Sequence, residues 1–430
     1  MSSARAMAAG GWGIAALAMN AAAWGQSFDV ERPITIVVGR PAGGARADRV
    51  DASRTGFAST ALPASALHAE WRASAGTLVE HAPLVDSGGS TYIVGAQGEV
   101  VSFGRDGAER WRTTTGALQP GPAALLSDET LVFVNAAGEA VAVRGGVVRW
   151  RSRFGRSDSA HPAPLPLDDG GVVVATSHEL AALDADGRGR ARTTLPEATT
   201  APLVSALGKV VVVTTSGAVW AWTPGAPEPT RVGGFGSQID GGAALADDHT
   251  LVAVAAGEAR IVALDLVRGE ATTRAASPGG LWLGPPAMRR GTAYVLLLAP
   301  SGELALAVDP SGRELLRALL AVHPPGAGVD GGAPHLVAGP HTSPLVDASG
   351  SMAFGTAGGG VGVVSASGTV ETLTDACAAP PLAPASTLRP LGGGPLVAGL
   401  APLGPHALVV ACRSGAVLAL TGGEASRAHL

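Results

Sequence analysis

Three histidines, His323, His335 and His341, share one Pro/Gly-rich stretch with Asp330 between them. Two imidazoles reach a common zinc ion when a short, fixed spacing sets them on one side of a turn or helix. Here the gaps are 12 and 6 residues, and solvated loop histidines are the expectation. Asp184-Ala185-Asp186-Gly187 opens like a calcium loop, but no later Glu follows to complete the oxygen shell. It reads as a turn. Ile34–Val38 is a strand followed by the Gly-rich loop Arg40–Gly44, yet neither a Gly-Lys-Ser/Thr nor the spaced glycines of a dinucleotide turn follows. Strand and loop are expected to pack against the rest of the chain. There is no Gly-x-Ser-x-Gly for a nucleophilic serine. The only two cysteines, Cys377 and Cys412, stand 35 apart and leave two readings open, a disulfide or a pair of buried thiols. Catalysis has no visible carrier, so no catalytic or metal-binding residue is assigned.

What positions these side chains is a repeat. Ala82 to Gly116 holds four β-rich runs, at Leu84-Val85, Tyr92-Ile93-Val94, Val100–Phe103 and Arg110–Thr113. The links are turn chemistry: Asp86-Ser87-Gly88-Gly89, Gln97-Gly98 and Asp106-Gly107, with Gly and Asp supplying the positive-φ positions of tight hairpins. The hydrophobic residue closing the third run recurs as Phe103, Val143, Leu183, Trp222, Leu264, Val308, Val364 and Leu420, about 40 residues apart at first and 56 at the end. Units therefore lie near 82–116, 121–155, 161–195, 200–234, 241–276, 283–320, 343–377 and 395–430. A fixed period of this size overrides the domain count that length suggests. Four residues after the second turn glycine come Trp111 and Trp150, then Ala191, Thr273 and Leu316. Trp71, in His68–Ala73, matches the same fourth-strand position but has no strands before it. Trp71, Trp111 and Trp150 are expected to pack one sheet against the next, since an indole buries far more area than Ala. The orphan strand around Trp71 needs a sheet to join. It is the candidate clasp on the last unit; the rival is Glu424 to His429.

The chain is 46% hydrophobic and 15% charged, with 61 Gly and 31 Pro among 430 residues. That suits many short buried strands joined by tight turns. A net charge of −5 gives no footprint for nucleic acid. Residues 1–25 carry Arg5, an apolar Ala-rich run and a small-x-small pair at Ala21 and Ala23, the features of a cleaved secretory signal; the competing reading is an uncleaved membrane anchor, which Gly10, Gly11 and Gly13 weaken. The reading is an exported chain, periplasmic or secreted, with a lead-in over 26–66 and a repeat domain over 67–430. No cysteine lies near the junction to accept a lipid.

With Pro83-Leu84-Val85-Asp86, Gly98-x-Val100, Asp106-Gly107 and Trp111-Arg112 in place, the sequence resembles the pyrroloquinoline-quinone-type (PQQ-like) β-propeller repeats. Arg54-Thr55-Gly56, Leu62-Pro63 and Glu70-Trp71-Arg72 look like the lead-in before such repeats. The resemblance implies an all-β fold, an eight-bladed β-propeller of four-stranded antiparallel blades. It also implies one of two functions. Quinone-dependent dehydrogenases hold PQQ and calcium with carboxylates, an amide and commonly a disulfide between adjacent cysteines. Non-catalytic propellers similar to the outer-membrane assembly factor bind protein partners. No carboxylate and amide set transfers here position by position, so the expectation is a monomeric, non-enzymatic scaffold without cofactor, with envelope association and a protein partner; the PQQ and calcium enzyme is the alternative. Residues 321–342 and 378–394, both between a fourth strand and the next first strand, share one face in a propeller and form the expected binding face. Cys377 and Cys412 fall on that face in adjacent blades, where a disulfide suits an oxidising compartment. Trp222 and Trp282 are the only hint of a carbohydrate platform.

Overall fold

The computed structural model describes residues 50–423 except 118–119, 157–161, 256–259, 278–279, 300–301, 323–341, 357 and 379–396. The strand expected at Ile34–Val38, the three loop histidines and nearly all of both insertions lie outside the described residues.

Each repeat folds as the sequence pattern dictates, because a run of four to six apolar or β-branched residues ending in a Gly turn has no alternative to pairing with its neighbour. The first blade comprises Leu84–Val85, Thr91–Val94, Glu99–Phe103 and Glu109–Thr114 in antiparallel order. The next blades span 124–153, 165–194, 204–234, 239–276, 281–322 and 345–373. The eighth takes three strands from 397–423 and its outer strand from the other end of the chain. There Ser65–Ser74 runs antiparallel to Ala416–Gly423, from Ser65 opposite Gly423 to Ser74 opposite Ala416. The orphan strand is thus the clasp. Among the described residues there is no helix, and the molecule is an eight-bladed β-propeller.

The apolar core divides into clusters that lie between blades rather than within them. Val85, Ile93, Val101 and Phe103 of the first blade share one with Val409, Ala411, Val417 and Ala419 of the eighth. The equivalent residues of the seventh and eighth share another, and each remaining seam has its own. Both faces of every blade are therefore apolar, and the second and third strands are buried along nearly their whole length. The residues used to count repeats, from Phe103 to Leu420, are all buried.

A Trp-Arg pair closes three seams. The Trp71 ring lies against the turn of the first blade, where a side chain at Gly107 would put its Cβ 2.6 Å from the ring. Its Nε1 donates to the Arg105 carbonyl at 2.9 Å. Trp150 does the same to the third blade, donating to Ala185 at 2.9 Å, with Gly187 beneath it. Trp111 sits against Gly146 of the second blade. The arginine after each Trp points the other way along the ring, as alternation in a strand demands. Arg72 donates to Ala376 at 3.1 Å, Arg112 to Ala75 and Arg151 to Thr115. Trp looks forward to the next blade and Arg reaches back to the previous one.

Where the Trp is missing the seam is closed differently. Ala191 meets Trp222, which supplies the bulk from the fourth blade. In the fifth blade the expected alignment of Thr273 with the Trp column needs correction. Trp111 pairs with Ser102, next to the strand-closing Phe103. The residue paired beside Leu264 is Thr272, because the turn before the outer strand is one residue longer and the bulge falls at Arg274.

Trp150→Ala is expected to lower the unfolding free energy by about 3 kcal/mol, the low end for a large aromatic because the ring is only part-buried. The check is a shift of the urea midpoint with unchanged slope.

Candidate functional site

The inner strands line the axis, and at one end of it the lead-in crosses the ring. Backbone N–H groups of Ser205, Leu245, Met288, Val346 and His406, from five successive blades, donate to the carbonyls of Ala52, Ser53, Thr55, Gly56 and Ala61 at 2.6–3.0 Å. Phe57–Ala58 adds in parallel to the inner strand of the seventh blade, Phe57 opposite Val346. Leu62 N–H donates to the Asp347 carboxylate at 2.8 Å. All of these inner-strand donors sit where that strand turns into the second, so the lead-in covers the turn face of the channel.

Arg54 anchors the crossing. It is fully buried and donates to the carbonyls of Leu203 at 2.8 Å, Ala163 at 3.1 Å and Pro164 at 2.7 Å, reaching the third and fourth blades. A tight turn aims it: Arg54 N–H donates to the Asp51 carbonyl, and the Asp51 carboxylate accepts from Thr55 N–H at 3.0 Å and from the Thr55 hydroxyl. Gly56 follows at φ 64°, where a Cβ would lie 2.9 Å from the Pro344 carbonyl. Arg54-Thr55-Gly56 is legible in the sequence as a lead-in but not as a bar across the axis. The available signal was a charged residue between turn formers ahead of an apolar ring.

At the opposite face the axis opens into a cleft of about 210 Å³ between the seventh, eighth and first blades, lined by Glu80, His81, Thr342, Ser343 and Gly399 among others. Its walls are the points where both insertions rejoin the ring. Glu80 pairs with Arg413 at 3.7 Å, and His81 Nε2 lies 3.1 Å from the Pro120 carbonyl. Next to Arg413, Cys412 is joined to Cys377, with Cα atoms 5.6 Å apart and both residues buried. The bond ties the root of the second insertion to the eighth blade.

Other sequence candidates are drawn into packing. Asp184 accepts from the Asp186 and Arg188 amides at 2.9 and 2.8 Å and closes its own turn. Trp222 is fully buried and donates to Ala226. Trp282 lies between the fifth and sixth blades. Neither offers an open stacking face. A calcium shell takes six to eight oxygens from carboxylates and carbonyls. At the channel mouth the described residues bring one carboxylate, Glu80, which already faces Arg413. The disulfide joins cysteines 35 apart rather than neighbours. This donor set does not fit a quinone with its calcium. It suits binding of polar and backbone groups.

Replacing Arg54 by Met leaves three buried carbonyls without their donor, each worth about 1–3 kcal/mol. The lead-in is expected to become the first site cut in limited proteolysis, between 50 and 63. Reduction of the disulfide is expected to lower stability by about 4 kcal/mol if chain entropy over the closed loop governs it. Thermal unfolding with and without reductant, against the Cys377→Ser/Cys412→Ser variant, measures this.

The family model described as outer membrane protein assembly factor BamB matches residues 139–226, from the third strand of the second blade into the fourth blade. BamB from Moraxella catarrhalis has a similar structure, with a TM-score of 0.55 and 16% identity over 85% of this chain and 100% of that one. The computationally designed Ika8 protein superposes with 0.60 and 14% identity over 84% and 99%. Quinohemoprotein alcohol dehydrogenase from Comamonas testosteroni superposes with 0.62 and 13% identity over 90% of this chain and 82% of its own. No curated protein matches the sequence. At such identities the structures speak to the fold alone, while the matched segment holds the Trp150–Gly187 seam. The chain is an eight-bladed β-propeller that matches the assembly-factor family model over residues 139–226.

Proposed function

We propose that this protein is a non-catalytic scaffold of the cell envelope that binds a protein partner on the face carrying residues 321–342 and 378–394. The observation that carries the reading is the asymmetry of the channel. One end is barred by the lead-in and Arg54, so a partner has access to the axis from the other end, where the cleft lies at the base of both insertions. The cleft offers hydroxyls, an imidazole and an ion pair, the groups that orient a polypeptide. The disulfide fixes the root of one insertion beside it, which limits the entropy lost when a partner docks.

The description of the matched family as an outer membrane protein assembly factor supports a protein partner at the envelope. The signal-like residues 1–25 support export, to the periplasm or beyond. We read the ring as a monomer without PQQ, calcium or nucleic acid.

The test is crosslinking in the native envelope with the full chain and with a variant in which residues 325–340 and 380–392 are replaced by short Gly-Ser linkers. The reading expects a specific protein adduct that disappears in the variant while the thermal midpoint is kept. An unchanged set of adducts would remove this face from recognition. Dye-linked alcohol oxidation after loading with PQQ and calcium would instead assign the ring to the dehydrogenases.

A further inference from the structure

At the lead-in end each inner strand presents one axis-facing position, and the crossing uses these positions unevenly. In the fifth and seventh blades the residue before the turn donates to the lead-in, Leu245 to Ser53 and Val346 to Gly56. The next residue, Ala246 or Asp347, donates within its own hairpin, to Thr250 or Ser351. Antiparallel pairing alternates in this way, so every second amide of an inner strand points off the sheet. The same register fixes the position in the first three blades. Asp86, Leu126 and Leu167 donate back to Ser90, Thr130 and Gly171, which puts Val85, Leu125 and Pro166 at the axis.

Pro166 has no N–H to satisfy. Val85 and Leu125 have one each, and both residues are buried, at 0% and 1% exposed. Among the described residues neither N–H meets an acceptor, and a buried donor left so is costly. The lead-in serves the fourth blade with Ala52 and the eighth with Ala61. It then leaves the axis, since Ala64 donates to Gly423 and Ser65–Ser74 joins the last sheet. The gap over the first two blades is therefore left to the other end of the strip, at Val50, which is buried in one cluster with Ala58 and Leu62. What such a position takes is visible on the seventh blade, where Phe57–Ala58 adds in parallel as a further strand, Phe57 opposite Val346.

We infer that the chain upstream of Val50 completes this ring of acceptors, with the run Ile34-Thr35-Ile36-Val37-Val38 laid across the first and second blades and its carbonyls accepting from Val85 and Leu125. All five residues of the run are β-branched, the composition that favours an added strand. Its length suffices. The lead-in serves the fourth to seventh blades from Ala52, Ser53, Thr55 and Gly56, carbonyls one or two residues apart, so five residues cover two blades. The link from the run to Val50, residues 39–49, spans up to about 36 Å when extended, several times the chain that the lead-in spends on two blades. A second copy or a partner segment would have to arrive from solution, whereas this run is tethered beside the gap and so acts at a high effective concentration. The docking owes nothing to the face assigned to partner binding, so either reading can fail alone.

The test is amide hydrogen exchange read by mass spectrometry, with overlapping peptides that resolve single amides, on the full chain and on a variant lacking residues 30–42. Slow exchange is expected at Val85 and Leu125 in the full chain. In the variant both are expected to exchange about tenfold faster, the net worth of one hydrogen bond, while Ser205 and Val346 keep their rates. A synthetic peptide of residues 32–40, added to the variant, is expected to restore the protection. Should the deletion disturb the ring, the double variant Ile36→Asp/Val37→Asp keeps the chain length and is expected to give the same selective loss. Fast exchange at both amides in the full chain overturns the inference, and so does slow exchange that survives in both variants, which would give the position to another occupant. Equal acceleration of all four amides in both variants overturns it as a general loosening, and protection that falls on dilution of the full chain overturns it in favour of a second copy.

Discussion

A blade of this protein has no solvent-facing side to its sheet. Its second and third strands are apolar on both faces, so a neighbour must stand on each side, and the same is true of the neighbour. The condition is met only when the series returns to its start. Everything else in the architecture follows from that closure: the division of the core into seams, the paired Trp and Arg that look in opposite directions, and the recruitment of Ser65–Ser74 into the last sheet. Each fully buried Val or Leu contributes about 1.5–3 kcal/mol, and a seam holds ten or more buried residues. An unclosed ring would leave two such surfaces in water.

Closure also explains the lead-in. Short inner strands, two or three residues in most blades, leave amides at the axis without a partner, and buried amides need one. The segment from Ala52 to Ala61 supplies carbonyls to five of them. Arg54 answers the opposite need, carbonyls of the third and fourth blades that lack a donor. One strip of chain thus satisfies polar groups on six blades.

How much of this was legible in the sequence depended on range. The third-strand residues, the Asp-Gly turns and the Trp column rest on neighbours a few positions away, and the fold followed from them. Thr273 was misaligned because turn length and bulge position shift register by one residue without altering composition. The bar across the axis escaped notice because the acceptors of Arg54 stand more than a hundred residues downstream. The cleft at the channel mouth likewise joins Glu80 to Ser343 and Gly399, residues with no pattern linking them in the chain.

The strand Ser65–Ser74 has one further implication, for the order of events during synthesis. It leaves the ribosome before any blade, yet its partner, Ala416–Gly423, is made last. For the interval between them the nascent protein carries an alternating strand with an unpaired edge, and seven blades stack into an arc with two sticky ends. A chain built this way matures in a single late step, and until then it has reason to depend on whatever shields β-edges in the compartment where it folds.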